Sequence, residues 1–252
     1  VKKAKTQSNY LISGDGGDEL FGGYTFRYKK YLTLVNQNST PIQRIKAYLE
    51  CHRRDWVKDQ DKIFGTNINF SWEKIYELFI PYFDNSLSLL QQIFLADYNG
   101  KLLYNFNPIN SKLHEYFEIK SITPLLSKEM IMYGSHLETN LKYNQINNIG
   151  KLPLRKLLSK YMDINLLVKN KIGFSVNTKK LWKTFGFDLC KKYLTDSNII
   201  NEKWINSSWI EENLEENLEV EYVNKFLGLL ACEIWYRVFI TKEMNPETKL
   251  TI

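Results

Sequence analysis

Apolar positions along the chain recur mostly with a helical period. Asn9-Tyr-Leu-Ile-Ser13 is the exception: a short apolar run closed by a glycine-rich loop, which reads as a buried strand. From Glu19 to about Val35 the spacing of Leu20, Tyr24, Tyr28, Tyr31 and Leu32 predicts one helix. Thr40-Pro41 then opens a helix carrying Ile42, Ile45 and Leu49 to about Cys51, the cap-and-proline pattern of a helix start. Further helices are predicted over 71–79, 86–98, 111–116, 127–133, 152–161 and 178–194. A last one, about 222–240, is apolar on most of its surface and is the most buried by pattern. The acidic run from Glu211 to Glu221 predicts a solvated helical face. One strand among many helices, with no internal repeat, gives an α/β class that is predominantly helical.

Composition narrows the function classes. A chain of 252 residues suffices for one large or two small domains, and 16 Tyr, 14 Phe and 6 Trp supply an aromatic-rich interior. The net charge of +6 is spread along the chain. It suits an anionic substrate such as ATP, and no basic block interleaved with stacking aromatics supports nucleic acid as a partner. Cys51, Cys190 and Cys232 are odd in number and far apart, which fits buried thiols in a reducing, cytoplasmic compartment. His52, His114 and His136 have no metal-ligand spacing. No apolar run approaches the ~20 residues that span a bilayer, so no membrane partner is expected. The opening Val-Lys-Lys-Ala-Lys reads like the cationic end of a helix, and a glycine loop follows at once, as though the chain were cut inside a domain.

The loop after the first strand carries the chemistry. Gly14, Gly16 and Gly17 allow a sharp turn that presents backbone N–H groups to a phosphate. Asp15 and Asp18 would repel a bare phosphate, so an acidic phosphate loop calls for a cation, and magnesium takes one or two carboxylates together with phosphate oxygens. Glu19 suits a helix start, and Gly22-Gly23 permits close packing beside a ligand. An acidic cap on a glycine turn explains Asp18-Glu19 alone. It does not explain three glycines and two spaced aspartates together.

Ser13-Gly-Asp-Gly-Gly-Asp-Glu-Leu-Phe-Gly-Gly-Tyr24 resembles the signature of the glutamine-hydrolysing asparagine synthetases. Gly150-Lys-Leu-Pro-Leu-Arg155 resembles that family's Gly-Lys-x-x-Leu-Arg helix. Lys169-Asn-Lys-Ile-Gly-Phe174 with Trp182 resembles its Lys-Lys-x-Gly-Phe segment, and Cys232–Phe239 its closing helix. The resemblance implies that residues 1–252 are a synthetase domain of the PP-loop ATP pyrophosphatase kind, with an adenine-nucleotide alpha-hydrolase-like fold. The first phosphate loop of that fold and the family's amino-terminal glutaminase are not in this sequence.

The resemblance also implies a reaction: a carboxylate, aspartate in the synthetases proper, is activated by ATP with release of pyrophosphate, and ammonia attacks the acyl-adenylate. Ser13, Gly14, Gly16 and Gly17 then lie along ATP, Asp18 binds Mg2+ and pyrophosphate, Asp15 serves amide formation, and Lys171 meets the phosphates. Expected partners are these small molecules and a glutaminase, fused or separate, with a homodimer as a candidate assembly. The segment 107–127 is the least faithful. Anchored on Pro124, it has Lys120 where the family carries Glu and Ile122 where it carries Arg. Another acceptor carboxylate is therefore one alternative, and the missing first phosphate loop makes a non-catalytic subunit-binding fragment the other.

Overall fold

The computed structural model describes residues 1–163 and 176–252. These divide into two compact units: the described residues of Val1–Cys51 with Phe79–Gly173, and those of His52–Leu78 with Phe174–Ile252.

In the first unit, strand β1 (Tyr10–Ile12) pairs in parallel with β2 (Lys120–Ile122), in the register Tyr10–Lys120, Leu11–Ser121, Ile12–Ile122. The second strand has no apolar signature, so the spacing did not announce it. Nor is β1 buried: Tyr10 and Ile12 are 54% and 70% exposed. The helix predicted from Glu19 is two helices, Gly17–Phe21 and Thr25–Leu34. Gly22 takes a left-handed conformation at φ 71°, which ends the first with its N–H on the Asp18 carbonyl. Thr40 does cap Pro41–Glu50, through a reciprocal capping box with Gln43.

Ser88 and Gln91 form the same box for Leu89–Ala96. That helix does not stop near Tyr98. It passes through a wider π-helical stretch, Asp97–Phe106, into Asn107–Tyr116, making one helical run of which only parts were predicted. Helices Lys128–His136, capped by Ser127, and Leu152–Leu158 follow. The core here is aromatic: Tyr28 meets Phe94 and Tyr143 edge-on at 4.9 and 5.3 Å, while Tyr48 packs on Phe83 at 5.3 Å. Asp97 is fully buried in this core and accepts from Arg27 and from the Tyr48 hydroxyl, both at 2.9 Å.

The second unit is built on Val220–Trp235, which continues through a π turn to Ile240. Its Val223 and Phe226 are fully buried against Trp182, Trp209 and Cys190. The predicted 178–194 helix is continuous in outline, with a π turn at Trp182–Gly186 between Thr178–Leu181 and Phe187–Leu194. The acidic run is not one helical face. Ser207–Asn213 ends before Leu214, and helix resumes only at Val220. The link is held from outside, by the Trp182 indole on the Glu215 carbonyl at 3.0 Å and Lys179 on Glu219 at 3.0 Å. The helix predicted to end at Phe79 runs from Trp72 to Phe83; Pro81 falls in its last turns, where the one bond it removes does not stop the helix at once. The thiols behave as small hydrophobes: burial pushes Cys51 up to about 11 and Cys190 up to about 12. Among the described residues no helix is long and apolar enough to cross a membrane.

Candidate active site

The loop between β1 and the Gly17–Phe21 helix is pinned to the second strand before it turns. The Ser13 N–H donates to the Ile122 carbonyl at 3.0 Å, extending the parallel ladder. Gly16, at φ 84°, makes the left-handed step into the helix. Beyond β2, the single turn Pro124–Leu126 folds over the loop, and a side chain on Gly16 would strike Leu126. Gly17 is buried under Leu125, and its N–H is committed to the Gly14 carbonyl at 3.2 Å. Of the three loop glycines, Gly14 is the one that faces open space. Gly16 and Gly17 thus shape the turn, and Ser13 and Gly14 offer its accessible surface.

The two aspartates have different surroundings. Asp15 is half-buried and accepts on Oδ2 from the Ser13 hydroxyl at 2.8 Å and from the Asn110 amide at 3.0 Å. Asp18, in the first turn of the helix, has its Oδ1 2.9 Å from Lys151 Nζ. Lys151 is brought there by the backbone. It is left-handed at φ 57°, caps Leu152–Leu158, and donates its N–H to the Phe21 carbonyl at 2.9 Å. Arg155 adds a bond from Nε back to the Gly150 carbonyl at 3.0 Å. Gly150 lies so close to the Gly22 carbonyl that a Cβ would collide with it, and a Cβ on Gly23 would collide with the Asp18 carboxylate. Gly150 and Gly23 are therefore required by packing, and Gly22 by its left-handed conformation.

Behind the loop, Glu19 is buried and receives the Tyr24 hydroxyl. Burial raises its carboxyl above the usual range, with Asp18 and Asp97 adding to the shift against the Tyr24 hydrogen bond. The Tyr24 ring in turn carries the Arg27 guanidinium at 3.6 Å and Lys101 Nζ at 4.2 Å. This second layer ties the end of the signature to the helical run beneath it.

Of the residues expected from sequence, Ser13, Gly14, Asp15 and Gly16 lie on the loop, and Gly17 and Asp18 open the helix that follows it. Lys171, with its segment from Lys169 to Phe174, lies outside the described residues. Two side chains were not expected to touch the loop's aspartates: Lys151, although it stands in a motif already noted, and Asn110, which had no sequence signal. Among the described residues no group of three or more His, Cys, Asp or Glu side chains could hold a metal ion. One carboxylate facing a cation fits an ion that arrives bound to nucleotide phosphates, since magnesium keeps most of its shell as water and phosphate oxygen.

The family model for asparagine synthase matches residues 1–237 of this chain. The chain belongs to the asparagine synthase family. That places the loop in a ligase family that uses ATP. A curated relative, asparagine synthetase [glutamine-hydrolyzing] 1 of Bacillus subtilis (strain 168), is 22% identical over 98% of this chain. The alignment covers 43% of that protein, so the chain spans less than half its length. No solved structure matches.

Proposed function

We infer that this chain carries the carboxylate-activating, amide-forming site of an ATP-dependent synthetase, on a PP-loop ATP pyrophosphatase type of domain. The observation that carries this is the pairing of Asp18 with Lys151 beside a second, separately held carboxylate, Asp15. Asp18 would hold a magnesium ion brought in by the nucleotide, and Lys151 supplies positive charge next to it. Ser13 and Gly14 line the nucleotide, and Gly16 and Gly17 set the turn that presents them. Lys171 is assigned to the phosphates on motif position. Asp15 takes the proton given up when ammonia becomes the amide nitrogen. Magnesium, when bound, neutralises the phosphates so that a carboxylate oxygen can approach the α-phosphorus.

Aspartate and ammonia are the substrates this reading favours, with ammonia from a glutaminase as in the relative's name. A different carboxylate acceptor is the second reading. It is favoured by Lys120 and Ile122, which stand on β2 just before the turn over the loop and replace the acidic and basic residues of the resembled motif. The test is product analysis with the full-length natural protein, Mg-ATP, ammonium and a panel of carboxylates. AMP and pyrophosphate formed in step with one amide are expected. Production of ADP and phosphate would sink the reading.

A further inference from the structure

Asn110 has no place in the activity inferred so far, yet among the described residues it makes one of the two hydrogen bonds to the Asp15 carboxylate. It stands in the helix Asn107–Tyr116, at the end of the long helical run, and reaches across to the signature loop. Its amide Nδ2 and the Ser13 hydroxyl both donate to the same oxygen, Asp15 Oδ2, at 3.0 and 2.8 Å. Among the described residues no donor is bonded to Oδ1. A carboxylate on an open loop otherwise rotates freely and shares its two oxygens between ligands. Two donors on one oxygen stop that rotation, and hydrogen bonds to a charged acceptor are the stronger kind. The neighbouring Gly14 adds no side chain, and a Cβ there would meet nothing.

We propose that Asn110 is a positioning residue for Asp15, holding the carboxylate by Oδ2 so that Oδ1 is left open and aimed for the amide-forming step. The proposal rests on the role inferred for Asp15 above. In that step the ammonia lone pair forms the C–N bond to the acyl carbon. The acyl C–O bond breaks with its electron pair leaving on AMP, and one nitrogen proton passes to Asp15 Oδ1. Asn110 touches none of the reacting atoms. Its effect is on orientation, and so it acts on the second half-reaction and not on adenylation.

The experiment compares Asn110→Leu, Asn110→Asp and Asp15→Asn in the full-length natural protein. It measures amide formed per pyrophosphate released as ammonium is raised. Asn110→Leu keeps the shape and loses both donors. It is expected to leave pyrophosphate release within about twofold, lower the amide-to-pyrophosphate ratio roughly tenfold, and raise the ammonia KM, the scale for one lost hydrogen bond to a charge. Asn110→Asp cannot donate to a second carboxylate and is expected to lower the ratio as well, which decides the matter if the leucine variant does not fold. If Asp15→Asn lowers the ratio while both Asn110 variants leave it unchanged, the positioning role is overturned and the role of Asp15 stands. If Asp15→Asn itself leaves the ratio unchanged, the inferred role of Asp15 falls and the positioning role falls with it.

Discussion

Lys151 Nζ and Asp18 Oδ1 stand 2.9 Å apart, a cation and an acid brought together from two separate sequence motifs. Both side chains are partly exposed, at 35% and 24%, so the pair itself contributes no more than about 1 kcal/mol to stability. Its value is in placement. Asp18→Ala in the full-length natural protein is expected to cut pyrophosphate release by on the order of a hundredfold or more, while the unfolding free energy changes by less than about 1 kcal/mol. Near-normal release would remove Asp18 from the metal role.

The close approach of Gly150 to the Gly22 carbonyl gives a prediction of the opposite kind. Gly150→Ala puts a methyl group against backbone, which has no rotamer to escape into. It is expected to cost about 1–3 kcal/mol in denaturant unfolding, and to weaken nucleotide binding because Lys151 follows directly. A variant as stable as the parent would mean that the 150–151 segment moves aside at no cost.

Asp97→Ala leaves the Arg27 guanidinium buried without its acid. Both side chains are almost wholly buried, at 3% and 0% exposure. Loss of one partner of such a pair costs about 3–5 kcal/mol, and the Tyr48 hydroxyl loses its acceptor as well. Thermal unfolding measures this directly. A melting temperature within a degree or two of the parent would refute it.

Lys142 is buried beside Phe94, with Nζ 5.4 Å from the ring centroid, and burial lowers it to about 8 from 10.5. Because the folded value is depressed, the folded state gains stability as pH rises from about 8 towards 10.5, where the unfolded chain still binds the proton. Below about 8 the buried charge carries its full penalty. Lys142→Met, which does not titrate, is expected to be more stable than the parent at pH 7, by a margin that holds to about pH 8 and then shrinks up to pH 10.5. A margin independent of pH would show that Lys142 is not the group responsible.

Much of the helical content was legible because caps and periodicity are local. Thr40-Pro41, Ser71 and Ser127 each sit at a predicted helix start, where a hydroxyl satisfies a free N–H, while the cap of the helix predicted from Ser86 is Ser88. Ends were less legible. Gly22 splits a predicted helix through a left-handed conformation, which an apolar periodicity running on through Tyr24 does not register. The π stretch Asp97–Phe106 carries helix onward where the pattern predicted a stop. In the site, the loop residues were legible from glycine and aspartate spacing. Lys151 and Asn110 were not, since contacts across such sequence distances leave no periodic trace. The strand Lys120–Ile122 is short, polar at two positions and exposed at all three, so nothing in its composition marks it.

The pairing of Tyr10–Ile12 with Lys120–Ile122 has a consequence for how the chain acquires its site. Parallel strands about 110 residues apart close at a cost in chain entropy that local helices do not meet, so they are expected to pair after the intervening helices form. The Ser13 bond to Ile122 and the cover of Leu126 over Gly16 depend on that pairing. On refolding from denaturant, helical circular dichroism should return first and nucleotide-dependent activity should lag behind it. On that order the signature loop is the last part of the unit to become native, and on heating, activity is expected to fall before helical circular dichroism does; coincident loss of the two would refute it.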